Sequence, residues 1–162
     1  MGWFGKNKKN VVYELNSVVT GKAVSIKDVE DPTFSEEILG KGVAVIPEDN
    51  KITAPCDGKV DLIFPTGHAV NIVSEFGAEI LIHVGLDTVQ LKGEGFKTVV
   101  KDGDNVKKGD VLIEFDKEGI SQKGYNLITP VIICNSDNYS QIEGVLGDRV
   151  TGDDVILKLK KK

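Results

Sequence analysis

Histidine is nearly absent from this sequence: only His68 and His83 occur in 162 residues, so any imidazole chemistry must use one or both. Cysteine is equally scarce. Cys56 and Cys134 stand far apart, match no close metal-ligand spacing and adjoin strand-like runs, which predicts two buried free thiols. No apolar stretch approaches the roughly 20 residues needed to cross a bilayer, and the N-terminus lacks the long apolar core of a secretion signal. A cytoplasmic protein is expected. The formal net charge is -5 with both signs interspersed, so no basic footprint for nucleic acid is present. Met1-Gly2-Trp3-Phe4 followed by Lys6, Lys8 and Lys9 is too short for more than peripheral membrane contact, and residues 1–14 are expected to form a flexible tail.

What the sequence does have is 18 glycines, five prolines and many short Val/Ile/Leu runs bounded by Gly, Asp and Asn. This predicts an all-β fold, an antiparallel β-sandwich or partly closed barrel, in a single domain over residues 15–162. The strand candidates are 18–26, 43–47, 58–64, 69–73, 79–84, 98–101, 111–115, 126–134 and 155–160. Helix is confined to two short connectors, Ser35 to Leu39 with Ser35 as cap, and Lys117 to Lys123. A weak internal echo links Thr20-Gly21-Lys22-Ala23-Val24-Ser25-Ile26 to Asp57-Gly58-Lys59-Val60-Asp61-Leu62-Ile63, suggesting a duplicated β motif.

The two histidines fall on neighbouring strands. Ser74-Glu75-Phe76-Gly77 reads as a four-residue hairpin loop pairing Val73 with Ala78. In that register paired residue numbers sum to 151, which places His68 directly opposite His83 on one face, together with Val70, Ile72 and Leu81. A slip of one residue would send the rings to opposite faces. A neutral imidazole nitrogen acts as a nucleophile when its other nitrogen holds the proton and is oriented by an acceptor. His83 fits that role. His68 and Thr66 fit as donors that steady a phosphoryl group of nearly two negative charges. The plain alternative is two half-buried histidines satisfied by backbone carbonyls. A zinc pair at His68 and His83 is a further alternative, but it needs Asp87 or a partner's carboxylate to complete a ligand set, and no metal is expected in the free protein.

Phe64-Pro65-Thr66-Gly67-His68-Ala69-Val70, then Ala78-Glu79-Ile80-Leu81-Ile82-His83-Val84-Gly85-Leu86-Asp87-Thr88-Val89, then Lys92-Gly93-Glu94-Gly95-Phe96 resembles the glucose-type IIA family of the bacterial sugar phosphotransferase system in order and spacing. Asp31-Pro32-Thr33-Phe34-Ser35, Ala54-Pro55-Cys56-Asp57-Gly58, Val106-Lys107-Lys108-Gly109-Asp110 and Thr129-Pro130-Val131 extend the resemblance over nearly the whole chain after about residue 15. It implies an antiparallel β-sandwich with a phosphohistidine at His83, a supporting histidine at His68 and an assisting threonine at Thr66. It also implies phospho-HPr as donor, a cysteine of a sugar-specific IIB domain as acceptor, and no cofactor beyond the covalent phosphate. By the same resemblance the docking rim takes in Phe34, Phe64 and Val89, to which the hairpin adds Val70 and Leu81. A backbone carbonyl near Gly85 is expected to orient the His83 ring, with Asp87 as an electrostatic neighbour. Gly67, Asn71 and Lys41 depart from some relatives, which bears on partner preference.

Three rivals carry less weight. A biotinyl or lipoyl carrier domain needs a lysine in flanking sequence of Met-Lys-Met or Asp-Lys-Ala type, and neither is present. A zinc peptidase of related β architecture needs more ligands than this chain offers. A purely regulatory binding module would not need the histidine pair, although regulatory partners are compatible with transfer.

Overall fold

The computed structural model describes residues 11–162. The chain runs through β1 (Val12–Asn16), β2 (Gly21–Ser25), α1 (Pro32–Ser35), β3 (Lys41–Pro47), β4 (Lys51–Thr53), β5 (Gly58–Ile63), β6 (Ala69–Ser74) and β7 (Glu79–His83). It continues with β8 (Phe96–Thr98), β9 (Asn105–Val106), β10 (Val111–Phe115), α2 (Lys117–Gln122), β11 (Thr129–Ile133), β12 (Tyr139–Gly144), β13 (Gly147–Val150) and β14 (Val155–Lys161). All pairings are antiparallel. An eight-stranded sheet in the order β13-β2-β3-β11-β7-β6-β5-β9 faces two three-stranded sheets, β1-β14-β12 and β4-β10-β8. The sandwich is as expected. The three sheets stay separate and do not close into a barrel. The echoed segments form β2 and β5, each second from an end of the large sheet, so the sequence repeat is mirrored in strand order.

Apolar side chains alternate along the central strands and feed two layers. Val43, Val45, Val70, Ile72, Ile80, Ile82, Val131 and Ile133 point into the main core, where they meet Leu15, Ile52, Leu112, Ile113, Ile156, Leu157 and Leu159 from the smaller sheets. The intervening residues Ala44, Ala69, Leu81 and Ile132 face the other way. There they pack under Ile26, Val29 and Phe34, with Leu86 and Ile128 alongside. Burial on both faces explains why Val131-Ile132-Ile133 is apolar without a break.

Local chemistry moved several expected boundaries. Residues 12–14, assigned to a tail, are part of β1, where Leu15 pairs with Leu157 and Glu14 with Lys158. The remainder of that tail, residues 1–10 with its candidate membrane contact, lies outside the described residues. The first helix starts earlier than Ser35 because the Asp31 side chain accepts from Thr33 N–H at 3.0 Å and Pro32 sets the first turn. Strand β1, with β4, β9, β12 and β13, was not expected. Cys56 is buried as foreseen, whereas Cys134 is exposed, one residue beyond the end of β11.

The β6–β7 hairpin differs from its expected register by one residue. Ser74 N–H donates to Ala78 at 2.9 Å and Gly77 N–H to Ser74 at 3.0 Å, leaving the three-residue loop Glu75–Gly77. The Ser74 hydroxyl also accepts from Ala78 N–H at 2.9 Å, which locks this pairing. Val73 therefore faces Glu79, and His83 faces Ala69 instead of His68.

Candidate functional site

His83 closes β7 on the same face as Leu81 and Ala69. His68 is not in a strand at all. It lies in the turn Pro65–His68 that joins β5 to β6, between Phe64 N–H donating to Ala69 at 3.0 Å and Gly67 N–H donating to Phe64 at 2.7 Å. Gly67 adopts φ +72°, a left-handed bend that takes His68 out of the strand's two-residue period. The shift of register would by itself have parted the rings, but this bend brings them back together. Their centroids are 5.0 Å apart with planes at 81°, and the His68 carbonyl accepts from Val84 N–H at 2.7 Å.

Two aromatic rings flank the pair. Phe34 lies 5.2 Å from the His83 ring and Phe64 lies 5.4 Å, edge-on, from the His68 ring. The order Phe34, His83, His68, Phe64 makes a row of four rings across the face. His68 is only 4% exposed, while His83, Thr66 and Phe64 are half-buried. The site thus meets solvent through His83, Thr66 and Phe64.

Hydrogen bonds assign a role to each ring nitrogen. Nδ1 of His83 lies 2.7 Å from the Gly85 carbonyl. A carbonyl only accepts, so the proton sits on Nδ1 and Nε2 keeps a free lone pair. Nδ1 of His68 lies 2.5 Å from the Thr66 hydroxyl. Burial, reinforced by the charge of His83, holds His68 down to about 4 from an ordinary 6.5, so the ring is neutral near neutral pH. The Thr66 hydroxyl can donate to Nδ1 or accept from it, so this contact is compatible with either neutral tautomer. Burial also lowers the pKa of His83; the Gly85 hydrogen bond and the carboxylates of Asp31 and Asp87 oppose it. His83 thus offers a lone pair at Nε2, beside a neutral His68 ring whose Nδ1 is held by Thr66.

The turn after His83 supplies the orienting carbonyl. Gly85 has φ +85°, and a Cβ there would lie 2.7 Å from Thr88 Cγ2 and 3.0 Å from the Asn126 carbonyl. Glycine is therefore required. Asp87 follows at φ +59° and opens a short 3-10 turn over Thr88–Leu91.

The expected docking residues divide. Leu81 and Phe34 belong to the layer beneath the histidines and are 8% and 4% exposed. Phe64 is half-buried beside His68, and Val89 is 50% exposed. Val70 is a correction: the observed register turns it into the main core, where it is 0% exposed and unable to touch a partner. Sequence reasoning also passed over Asp31, which acts on His83 electrostatically. It passed over Ile38 and Leu39, which are 68% and 40% exposed just after α1. Two adjacent exposed apolar residues between Glu36-Glu37 and Gly40 were the signal available for that pair. Among the described residues no group of three or more His, Cys, Asp or Glu is gathered as a metal site, and the histidine pair alone supplies only two ligands. No helix among the described residues is long and apolar enough to cross a membrane.

Residues 13–139 match the family model described as phosphoenolpyruvate-dependent sugar phosphotransferase system, EIIA 1. The chain is 46% identical over 156 residues to the glucose-specific EIIA component of Haemophilus influenzae, covering 96% of this chain and 94% of that protein. It is 47% identical over 126 residues to the β-glucoside-specific EIIBCA component of Bacillus subtilis, covering 78% of this chain and 21% of that longer protein. The glucose permease IIA of Mycoplasma capricolum has a solved structure that aligns with TM-score 0.87 at 35% identity, over 93% of this chain and 97% of that one.

Proposed function

Since the chain belongs to the EIIA 1 family of the phosphoenolpyruvate-dependent sugar phosphotransferase system, we propose that it is a cytoplasmic phosphocarrier whose His83 Nε2 takes a phosphoryl group from phospho-HPr and yields it to a cysteine of a IIB domain. The observation that carries this reading is the meeting of two imidazoles 5.0 Å apart, His83 with its Nδ1–H donating to the Gly85 carbonyl and a free Nε2 lone pair, and His68 with its Nδ1 on the Thr66 hydroxyl.

In the first step the lone pair of His83 Nε2 attacks phosphorus as the bond to the donor's histidine nitrogen breaks, and that nitrogen keeps the bonding pair. The proton stays bonded to Nδ1, which donates to the Gly85 carbonyl. The positive charge that spreads over the phosphorylated ring is favoured by Asp31 and Asp87, whose charges already act on His83. His68 Nε2–H donates to a phosphoryl oxygen, and the Thr66 hydroxyl keeps that proton on the correct nitrogen. In the second step a cysteine thiolate of the acceptor attacks phosphorus and the His83 N–P bond breaks, restoring the free ring. Transfer of this kind depends on in-line positioning and charge stabilisation, so no metal, nucleotide or other cofactor takes part.

Partners dock over the exposed edge of the upper apolar layer. Val89, Ile38 and Leu39 supply exposed surface, Phe64 a half-buried edge, and Leu81 with Phe34 a floor. The single-chain EIIBCA relative joins a B and an A part in one polypeptide, which supports a IIB domain as the acceptor. Sugar uptake follows through that partner. Phosphorylation adds about two charges to the docking face, so regulatory proteins that bind one state would be released by the other.

The experiment is phosphorylation from labelled phosphoenolpyruvate with the general components, followed by peptide mapping. One acid-labile phosphoryl group on His83 is expected, with none on His83→Ala and with acceptance but slow onward transfer for His68→Gln. Undiminished labelling of His83→Ala would reject the assignment. Equal loss of both half-reactions in His68→Gln would reject the division of roles.

A further inference from the structure

The Gly85 carbonyl that fixes the His83 proton is itself held by groups that take no part in transfer. It belongs to the peptide between Gly85 and Leu86, and the N–H of that peptide donates to the Asn126 carbonyl at 2.9 Å. A trans peptide is planar, with N–H and C=O pointing in opposite directions. Anchoring the one therefore aims the other. Asn126 is in turn stiffened by its own side chain, whose Oδ1 accepts from Ile128 N–H at 2.9 Å.

The preceding peptide, between Val84 and Gly85, is anchored by its carbonyl, to which the hydroxyl of Thr88 donates at 2.6 Å. Thr88 is 0% exposed. Its methyl fills the space where a Cβ on residue 85 would stand. Both peptide planes that meet at Gly85 are thus clamped, one by Asn126 and one by Thr88. Glycine has the widest torsional freedom of any residue, so without these clamps the carbonyl would be free to swing off the ring.

We propose that Thr88 is a positioning residue: by holding the Val84–Gly85 peptide, its hydroxyl keeps the Gly85 carbonyl on Nδ1 of His83, and so keeps the nucleophilic lone pair on Nε2. The inference rests on the reading of His83 as the acceptor only for its effect on rate. Its effect on the ring proton is independent of that reading.

The test uses full-length protein labelled with nitrogen-15, comparing the unmodified chain with Thr88→Val, which keeps the shape and removes the hydroxyl, and Thr88→Ser, which keeps the hydroxyl. Ring nitrogen shifts of His83 read the tautomer directly. The unmodified chain and Thr88→Ser should hold the proton on Nδ1, while Thr88→Val should populate both tautomers. The rate constant for phosphorylation at saturating donor should fall about tenfold in Thr88→Val with little change in KM, as expected for an active group displaced by a fraction of an ångström. A Thr88→Val protein that melts earlier but keeps the tautomer and rate of the unmodified chain would overturn the proposal. So would Thr88→Ser behaving like Thr88→Val. Should Thr88→Val not fold, exchange of the Thr88 hydroxyl proton in the unmodified chain decides: slow exchange supports the clamp and rapid exchange refutes it. If the unmodified chain takes no phosphoryl group at all, the carrier reading fails while the tautomer spectra still judge Thr88.

Discussion

The buried neutral state of His68 has a measurable cost in acid. Its pKa is about 4 in the folded chain against 6.5 when unfolded, so as the pH falls the unfolded chain takes up the proton first. Stability then declines from about pH 6.5 down to about pH 4, and below that window the group contributes no further change. At pH 4.5 the proton-binding difference for these two values amounts to roughly 2–3 kcal/mol, a sizeable part of the ~5–15 kcal/mol that holds a domain folded. The test is urea unfolding followed by circular dichroism at pH 7.5 and 4.5, for the unmodified chain and for His68→Gln. Carboxylates contribute alike to both proteins, so the unmodified chain should lose roughly 2–3 kcal/mol more than the variant over this interval. Equal losses would refute the reasoning, as would a His68 ring that titrates near 6.5 by NMR. The same shift bears on the proposed transfer, in which a neutral His68 accepts from Thr66 at one nitrogen and donates from the other.

Gly85→Ala should destabilise the chain by about 2–5 kcal/mol, from a left-handed backbone and a crowded turn, lowering the melting temperature by about 4–20 °C in calorimetry; an unchanged transition would contradict the clash with Thr88 and Asn126. Val89→Asp should leave the melting temperature within a degree or two and weaken donor or acceptor binding about tenfold in titration calorimetry. Unaltered binding of both would remove Val89 from the docking rim. Excess chelator should leave phosphoryl acceptance and melting unchanged, and loss of acceptance that zinc restores would show a metal requirement.

The six inner strands of the large sheet, β2, β3, β11, β7, β6 and β5, were legible because their Val/Ile/Leu runs are bounded by turn residues, whereas its edge strands β13 and β9 were not. The strands that were missed depend on distant partners. Tyr13 and Glu14 look like the end of a lysine-rich tail until Leu159 and Lys158 are seen opposite them, and Tyr139–Gly144 is largely exposed, so no apolar pattern marks it. At the site the identities of the three polar groups were readable, yet the argument that joined them was off by one residue. Ser74 took a place in the ladder, not in the loop, and that sent Val70 inward. The histidines nevertheless converge, because the Gly67 bend frees His68 from strand alternation, and a single left-handed torsion is not visible as periodicity. The aim of the Gly85 carbonyl was foreseen, but its dependence on Thr88 and Asn126 was not, since the Asn126 contact joins residues 40 apart and the Thr88 contact is a hydroxyl bond to the Val84 carbonyl that no periodicity marks.

The two apolar layers meet at the large sheet and share no side chains. A thermal fluctuation that lifts residues 26–39 away from Ala44, Leu81 and Ile132 therefore leaves the greater mass of aliphatic contacts shut. Amide protons in that segment should trade with solvent long before those of Leu112 or Leu157. Drift in the composition of the upper layer can therefore accumulate while the foundation below keeps the chain folded.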